Sequence, residues 1–177
     1  QNAVFTVSPA GTIVTLIQGG SNQPFGKIYA MAMDTQSGDV VVFDGAGYIL
    51  RITRDAKPVV TTIVTSLSTG GNGGLHPLYG RRNQLIGVWN RTTIHSLVLG
   101  SSTPLTTIKN GSPFVWLADV EYEPATGLYA VADLSNSSGS VYRFDPVSGT
   151  VTTIVALNGI RPTQIAVAGG RHLCAVN

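Results

Sequence analysis

Four Asp or Asn residues recur in one context. Asp44 closes the run "VVFD", Asn90 closes "GVWN", Asp133 closes "AVAD" and Asn177 closes "CAVN". Carboxylates gathered on a common axis can ligate a divalent metal. A short Asp or Asn side chain at the end of an apolar run also accepts from the amide two residues on and so caps a turn. Turn capping explains all four positions, whereas metal ligation explains only the two aspartates. Asp34-Thr35-Gln36-Ser37-Gly38-Asp39 and Asp133–Gly139 resemble oxygen-rich calcium loops but lack the acidic spacing and the terminal bidentate Glu, so they read as turns. His76, His95 and His172 are scattered, without a metal-ligand spacing. No Gly-x-Ser-x-Gly elbow occurs, and the glycine-rich stretch Ser68–Gly74 lacks the Lys-Ser/Thr ending of a phosphate loop. The sequence therefore assigns no catalytic residue, no cofactor and no metal ligand.

Two further sets of residues bear on surface chemistry. Asn90, Asn110 and Asn136 each open an Asn-x-Ser/Thr sequon and are candidates for N-glycosylation. Arg54, Lys57, Arg81, Arg82 and Arg171 are candidates for a cationic contact face. The single cysteine, Cys174, reads as a small core residue rather than a reactive thiol. Trp89 and Trp116 read as core rather than as sugar platforms.

What positions these residues is a repeat. The four Asx positions are separated by 46, 43 and 44 residues. A second marker keeps the same interval at Thr61-Thr62-Ile63, Thr106-Thr107-Ile108 and Thr152-Thr153-Ile154, with a degenerate copy at Val14-Thr15-Leu16. No long apolar run has a helical period; short runs rich in Val, Ile and Thr are cut by Gly, Pro and Asx turns. A period of this length holding four strands is a β-propeller blade. The expected fold is thus all-β, a single domain over residues 1–177 forming a four-bladed β-propeller of four-stranded antiparallel blades. The blades fall at about 28–67, 75–109 and 116–157, and the last joins 164–177 to 3–17, closing the ring with strands from both termini. Four blades of a larger propeller, or half of an eight-bladed dimer, are the competing arrangements.

The wording of the blades, above all "GLYAVADLSNSSGSVYRFDPVSGTVTTIV", resembles NHL-repeat and gluconolactonase-like propellers. Their blades read as an extended run, a Gly, an apolar strand ending in Asp, and then x-I/V-x-R-F. The gluconolactonase-like enzymes have six blades and hold a divalent metal with Glu, Asn and Asp residues lining the channel. That resemblance implies the fold; the ligand set does not map onto particular positions here.

Composition narrows function further. Of 177 residues only 11% are charged, and the net charge is +2, which excludes an electrostatic case for nucleic acid or an anionic membrane. No apolar stretch is long enough to span a bilayer. The start at Gln1 without an apolar leader fits a mature secreted chain. In a four-stranded blade with strands a to d, the a–b and c–d turns emerge at one end and the b–c and d–a links at the other. All three sequons fall at the second end and all five cationic candidates at the first. The expectation is a non-enzymatic extracellular module for interaction or self-assembly, such as the unit of a filament, surface layer or matrix, glycosylated on one face. Its partners would be other copies or other glycoproteins. A metal-dependent lactonase or esterase, and a carbohydrate-binding lectin, are the alternatives.

Overall fold

Runs of β-branched residues punctuated by turn formers leave little choice but strands, and the computed structural model has sixteen among its described residues. It describes residues 3–19, 26–34, 36–65, 74–77, 83–135, 138–169 and 171–176. Asn136, Arg81, Arg82, Asn177 and residues 68–73 lie outside these, as do the side chains of His76, Trp89, Asn90 and Cys174.

The strands group into three complete wedges and two half-wedges. The first half-wedge pairs β1 (Ala3–Val7) with β2 (Ile13–Gln18). The complete wedges follow in chain order: β3 (Ile28–Met33), β4 (Val40–Asp44), β5 (Ile49–Ile52) and β6 (Val60–Val64), then β7 (Gly74–Pro77), β8 (Gln84–Asn90), β9 (Thr93–Val98) and β10 (Leu105–Asn110), then β11 (Leu117–Glu123), β12 (Leu128–Asp133), β13 (Ser138–Phe144) and β14 (Val151–Asn158). The second half-wedge pairs β15 (Pro162–Ala168) with β16 (Arg171–Val176). Every ladder is antiparallel between neighbours in sequence, the meander of a propeller blade.

The core lies between wedges, not within one central mass. Val4, Val42, Leu50 and Ile52 join the first half-wedge to the first wedge. Ala32, Phe43, Leu75 and Leu97 join the first wedge to the second. Ile86, Ile94, Val120, Tyr129 and Val131 join the second to the third. Ala118, Ala130, Ala132 and Ile165 seat the last half-wedge on the third. The inner strands β3, β7, β11 and β15 touch in succession.

Three a–b–c–d blocks thus form as expected, but the fourth stands as two separate hairpins, and the closing ladder between β16 and β1 is not present among the described residues. Each half-wedge is held by its own apolar contacts at a different end of the row, with the three complete wedges between them.

Candidate functional site

The first cluster built by the sequence is structural. Asp44 is buried, and its Oδ1 accepts from Ala46 N at 2.6 Å, the expected turn cap. Its Oδ2 also accepts from Gly26 N at 2.6 Å. Asp133 repeats the device: Oδ1 accepts from Ser135 N (3.0 Å) and Trp116 N (2.9 Å), and Oδ2 from Val115 N (2.8 Å). Each carboxylate pins its b–c turn to the chain entering strand a of the same wedge, eighteen and seventeen residues away. Buried charge is tolerated here because backbone amides satisfy it.

At the opposite end, arginines of strand c bind acids near the a–b turn. Arg51 Nε lies 2.7 Å from Asp39 Oδ2. Arg143 holds Glu123 with two bonds, Nε to Oε2 at 2.6 Å and Nη2 to Oε1 at 2.7 Å. His172 of β16 brings Nε2 to 2.7 Å from Glu123 Oε1, close but off the N–H axis, so it acts by charge proximity rather than as an aligned hydrogen bond. Hydrogen bonds from Arg143 hold the Glu123 carboxyl down at about 2 against burial, which pushes it up; Thr126 and the charges of Arg143 and His172 assist. Glu123 therefore links the third wedge to the last half-wedge. Neither the arginine pairs nor this link was visible as a motif; the recurrence of Arg51 and Arg143 opposite Thr61 and Thr152 is the signal that could have found them.

The Asp34 turn forms as a turn. Ser37 Oγ donates to Asp34 Oδ2 at 2.6 Å and Gln36 N to Oδ1 at 3.1 Å. Burial raises the Asp34 carboxyl, but these bonds and the nearby Arg51 charge outweigh it and leave it lowered. Among the described residues no group of three His, Cys, Asp or Glu side chains converges as a metal site.

Of the surface candidates, Arg54, Lys57 and Arg171 are exposed. Arg54 and Lys57 share the β5–β6 connection, whereas Arg171 begins β16 at the other end of the row. Arg54 borders a shallow groove of about 520 Å³ lined also by Thr6, Ser8, Pro9, Thr12 and Val14. Asn110 is exposed, and its Oδ1 accepts from Thr92 Oγ1 at 3.1 Å and Thr93 Oγ1 at 3.0 Å. Thr92 is the third residue of the Asn90 sequon, so two sequons adjoin. Trp116 is half-buried and covered by the Arg91 guanidinium at 4.1 Å, a cation–π stack that fits its core reading. His95 is half-buried, with Nδ1 3.5 Å from Thr107 Oγ1.

The feature that stands apart is apolar. Across the wedges one row of inner-strand residues is homologous: Met31, Leu75, Val120 and Ile165 pair with Val42, Gly87, Val131 and Cys174. Leu75, Val120 and Ile165 are 7%, 2% and 5% exposed because the preceding wedge covers them, but Met31 is 52% exposed. Met33 on the same face of β3 is exposed too. The preceding half-wedge consists of β1 and β2, which stand in the c and d places and cover β5 and β6; among the described residues no strand stands in the a and b places. Phe5, Val7 and Ile13 of β1 and β2 are likewise exposed on one face.

No protein-family model and no curated protein sequence matches the chain. Its fold is similar to that of β-propeller chains of known structure. It is similar to a chain of a nidogen–laminin complex (14% identity, 86% of this chain and 56% of that one, TM-score 0.67). A 6-phosphogluconolactonase-like protein of Bacteroides uniformis gives 15% identity over 94% of this chain and 54% of that one, with a TM-score of 0.59. The extracellular domain of a one-component system of B. thetaiotaomicron gives 13% identity over 98% and 30%, with a TM-score of 0.56. The chain spans about half or less of the length of these structures. No helix among the described residues is long and apolar enough to cross a membrane.

Proposed function

We propose that this chain is a non-enzymatic, extracellular propeller unit whose task is association. The observation that carries this reading is the concentration of solvent-facing apolar side chains, Phe5, Val7, Ile13, Met31 and Met33, at one end of the row of wedges. Exposed apolar side chains beside a strand edge left unpaired among the described residues make a surface for protein contact. The partners are other copies of the chain or other extracellular glycoproteins. Glycans on Asn110 and Asn90, at the same end of the strands, and on Asn136 would leave Arg54, Lys57 and Arg171 bare. The low charge is then offset by sugar. A ring of four blades closed within one chain would need β15 to come beside β3; the exposed Met31 favours closure by an added element.

Sedimentation of the purified chain across a range of concentrations, together with lactone hydrolysis assayed with and without added divalent metal, tests the reading. Self-association or glycoprotein capture without turnover is expected. A strictly monomeric chain that hydrolyses a lactone in a metal-dependent way would overturn it.

A further inference from the structure

The uncovered face is specific enough to name what belongs on it. At each formed junction a small residue of one inner strand receives a large one from the next. Ala32 shares a core with Leu75. Gly74 stands where an added Cβ would meet Val120 N at 2.9 Å. Ala118 shares a core with Ile165. The fourth large residue of this row, Met31, has no small partner among the described residues. Among the described residues, β15 has its far side open, with Gln164, Ala166 and Ala168 exposed in alternation. Small Ala166 and Ala168 complement Met31 and Met33 as the other pairs complement each other.

The hydrogen-bonding edges match as well. In the complete wedges Val42, Gly87 and Val131 of strand b pair with Leu50, His95 and Tyr142 of strand c. Those pair in turn with Thr62, Thr107 and Thr153 of strand d. In the half-wedges Ile165 pairs with Cys174 and Phe5 with Thr15. The row is completed if Cys174 stands opposite Phe5. β15 and β16 sit on the third wedge through Ile165 and through Asp119 Oδ2, which accepts from Ile165 N at 3.1 Å, and the outer edge of β16 is left without a paired strand among the described residues.

We infer that, building on the association proposed above, β15 and β16 of one copy complete the half-wedge β1–β2 of a second copy. The exchange is reciprocal, giving a two-fold symmetric ring of eight wedges. Such a contact is β-strand addition at each junction, with backbone bonds supplying affinity and the Met–Ala fit supplying register.

The test uses Phe5→Cys in the 177-residue chain under mild oxidation. A disulfide to Cys174 between two chains, seen as a covalent dimer on a non-reducing gel and abolished by adding Cys174→Ser, is expected. A disulfide within one chain would overturn the exchange in favour of self-closure. No disulfide in a chain that still associates would overturn the edge while leaving association standing, and a strictly monomeric chain would overturn both. As a second variant that does not touch a buried residue, Met31→Glu is expected to weaken dimerisation about tenfold or more with an unchanged far-ultraviolet spectrum; undiminished dimerisation would overturn the inference.

Discussion

At the scale of the residue, the buried acids organise the molecule. Asp133 takes three backbone amides while almost fully buried. Removing it leaves donors without partners, so Asp133→Ala should lower the free energy of unfolding by about 2–4 kcal/mol. Chemical denaturation measures this, and a loss below 0.5 kcal/mol, the range of ordinary surface changes, would contradict the pinning role. Two titrating groups with large shifts shape separate windows of the acid response, beside the lowered Asp34. Burial pushes His95 from 6.5 down to about 4. Between those values the unfolded chain binds a proton that the folded chain refuses, so stability falls as pH drops from 6.5 toward 4. With solvent screening, about 1–2 kcal/mol is at stake, and His95→Gln should flatten that window. Glu123 stays ionised down to about 2 against an ordinary 4.5. Its contribution is full above 4.5 and disappears as pH falls to 2, about 2–3 kcal/mol that Glu123→Gln should remove. Denaturation midpoints at stepped pH separate the two windows.

At the scale of the element, the contacts between wedges are closest where glycine permits. Gly139 of β13 faces the carbonyl of Ile160 in the link to β15 and Cδ of Pro162, which begins that strand. An alanine there has to push the last half-wedge away, so Gly139→Ala should cost about 1–3 kcal/mol. It should also speed amide exchange in β15 and β16 above that in β3 to β6; uniform exchange would contradict a local effect. Strand existence was legible because the Thr-Thr-Ile and Asx markers recur: β4 spans Val40–Asp44 and β12 spans Leu128–Asp133, as read from their apolar runs. Less was legible where a bulge intervenes. In the second wedge the ladder shifts between Val88 and Asn90, so Gly87 aligns with Val42 and Val131 although counting back from Asn90 would choose Val88. The Glu123–Arg143–His172 cluster was hidden because its members lie on three strands and meet only through folding. Met31 and Met33 were plain in "IYAMAM", but only packing reveals that this face is uncovered.

At the scale of the whole molecule, the repeat foretold four wedges' worth of strands but not how the half-wedges meet. Sequence complementarity between β15–β16 and β1–β2 is the same for closure within a chain and between chains. The difference lies in curvature, which no pairing pattern encodes. The structure places the halves at separate ends, with Met31 open at one and the small face of β15 open at the other. Low net charge offers little repulsion between copies, and flat, preformed sheets need little ordering to dock.

The most direct measurement is the mass of the unmodified chain by sedimentation equilibrium over a wide concentration range. The account predicts a limiting species of twice the 18.5 kDa chain, with no growth beyond it, because reciprocal exchange uses up both edges. A single-chain mass at every concentration, or an open series of ever larger species, would contradict it.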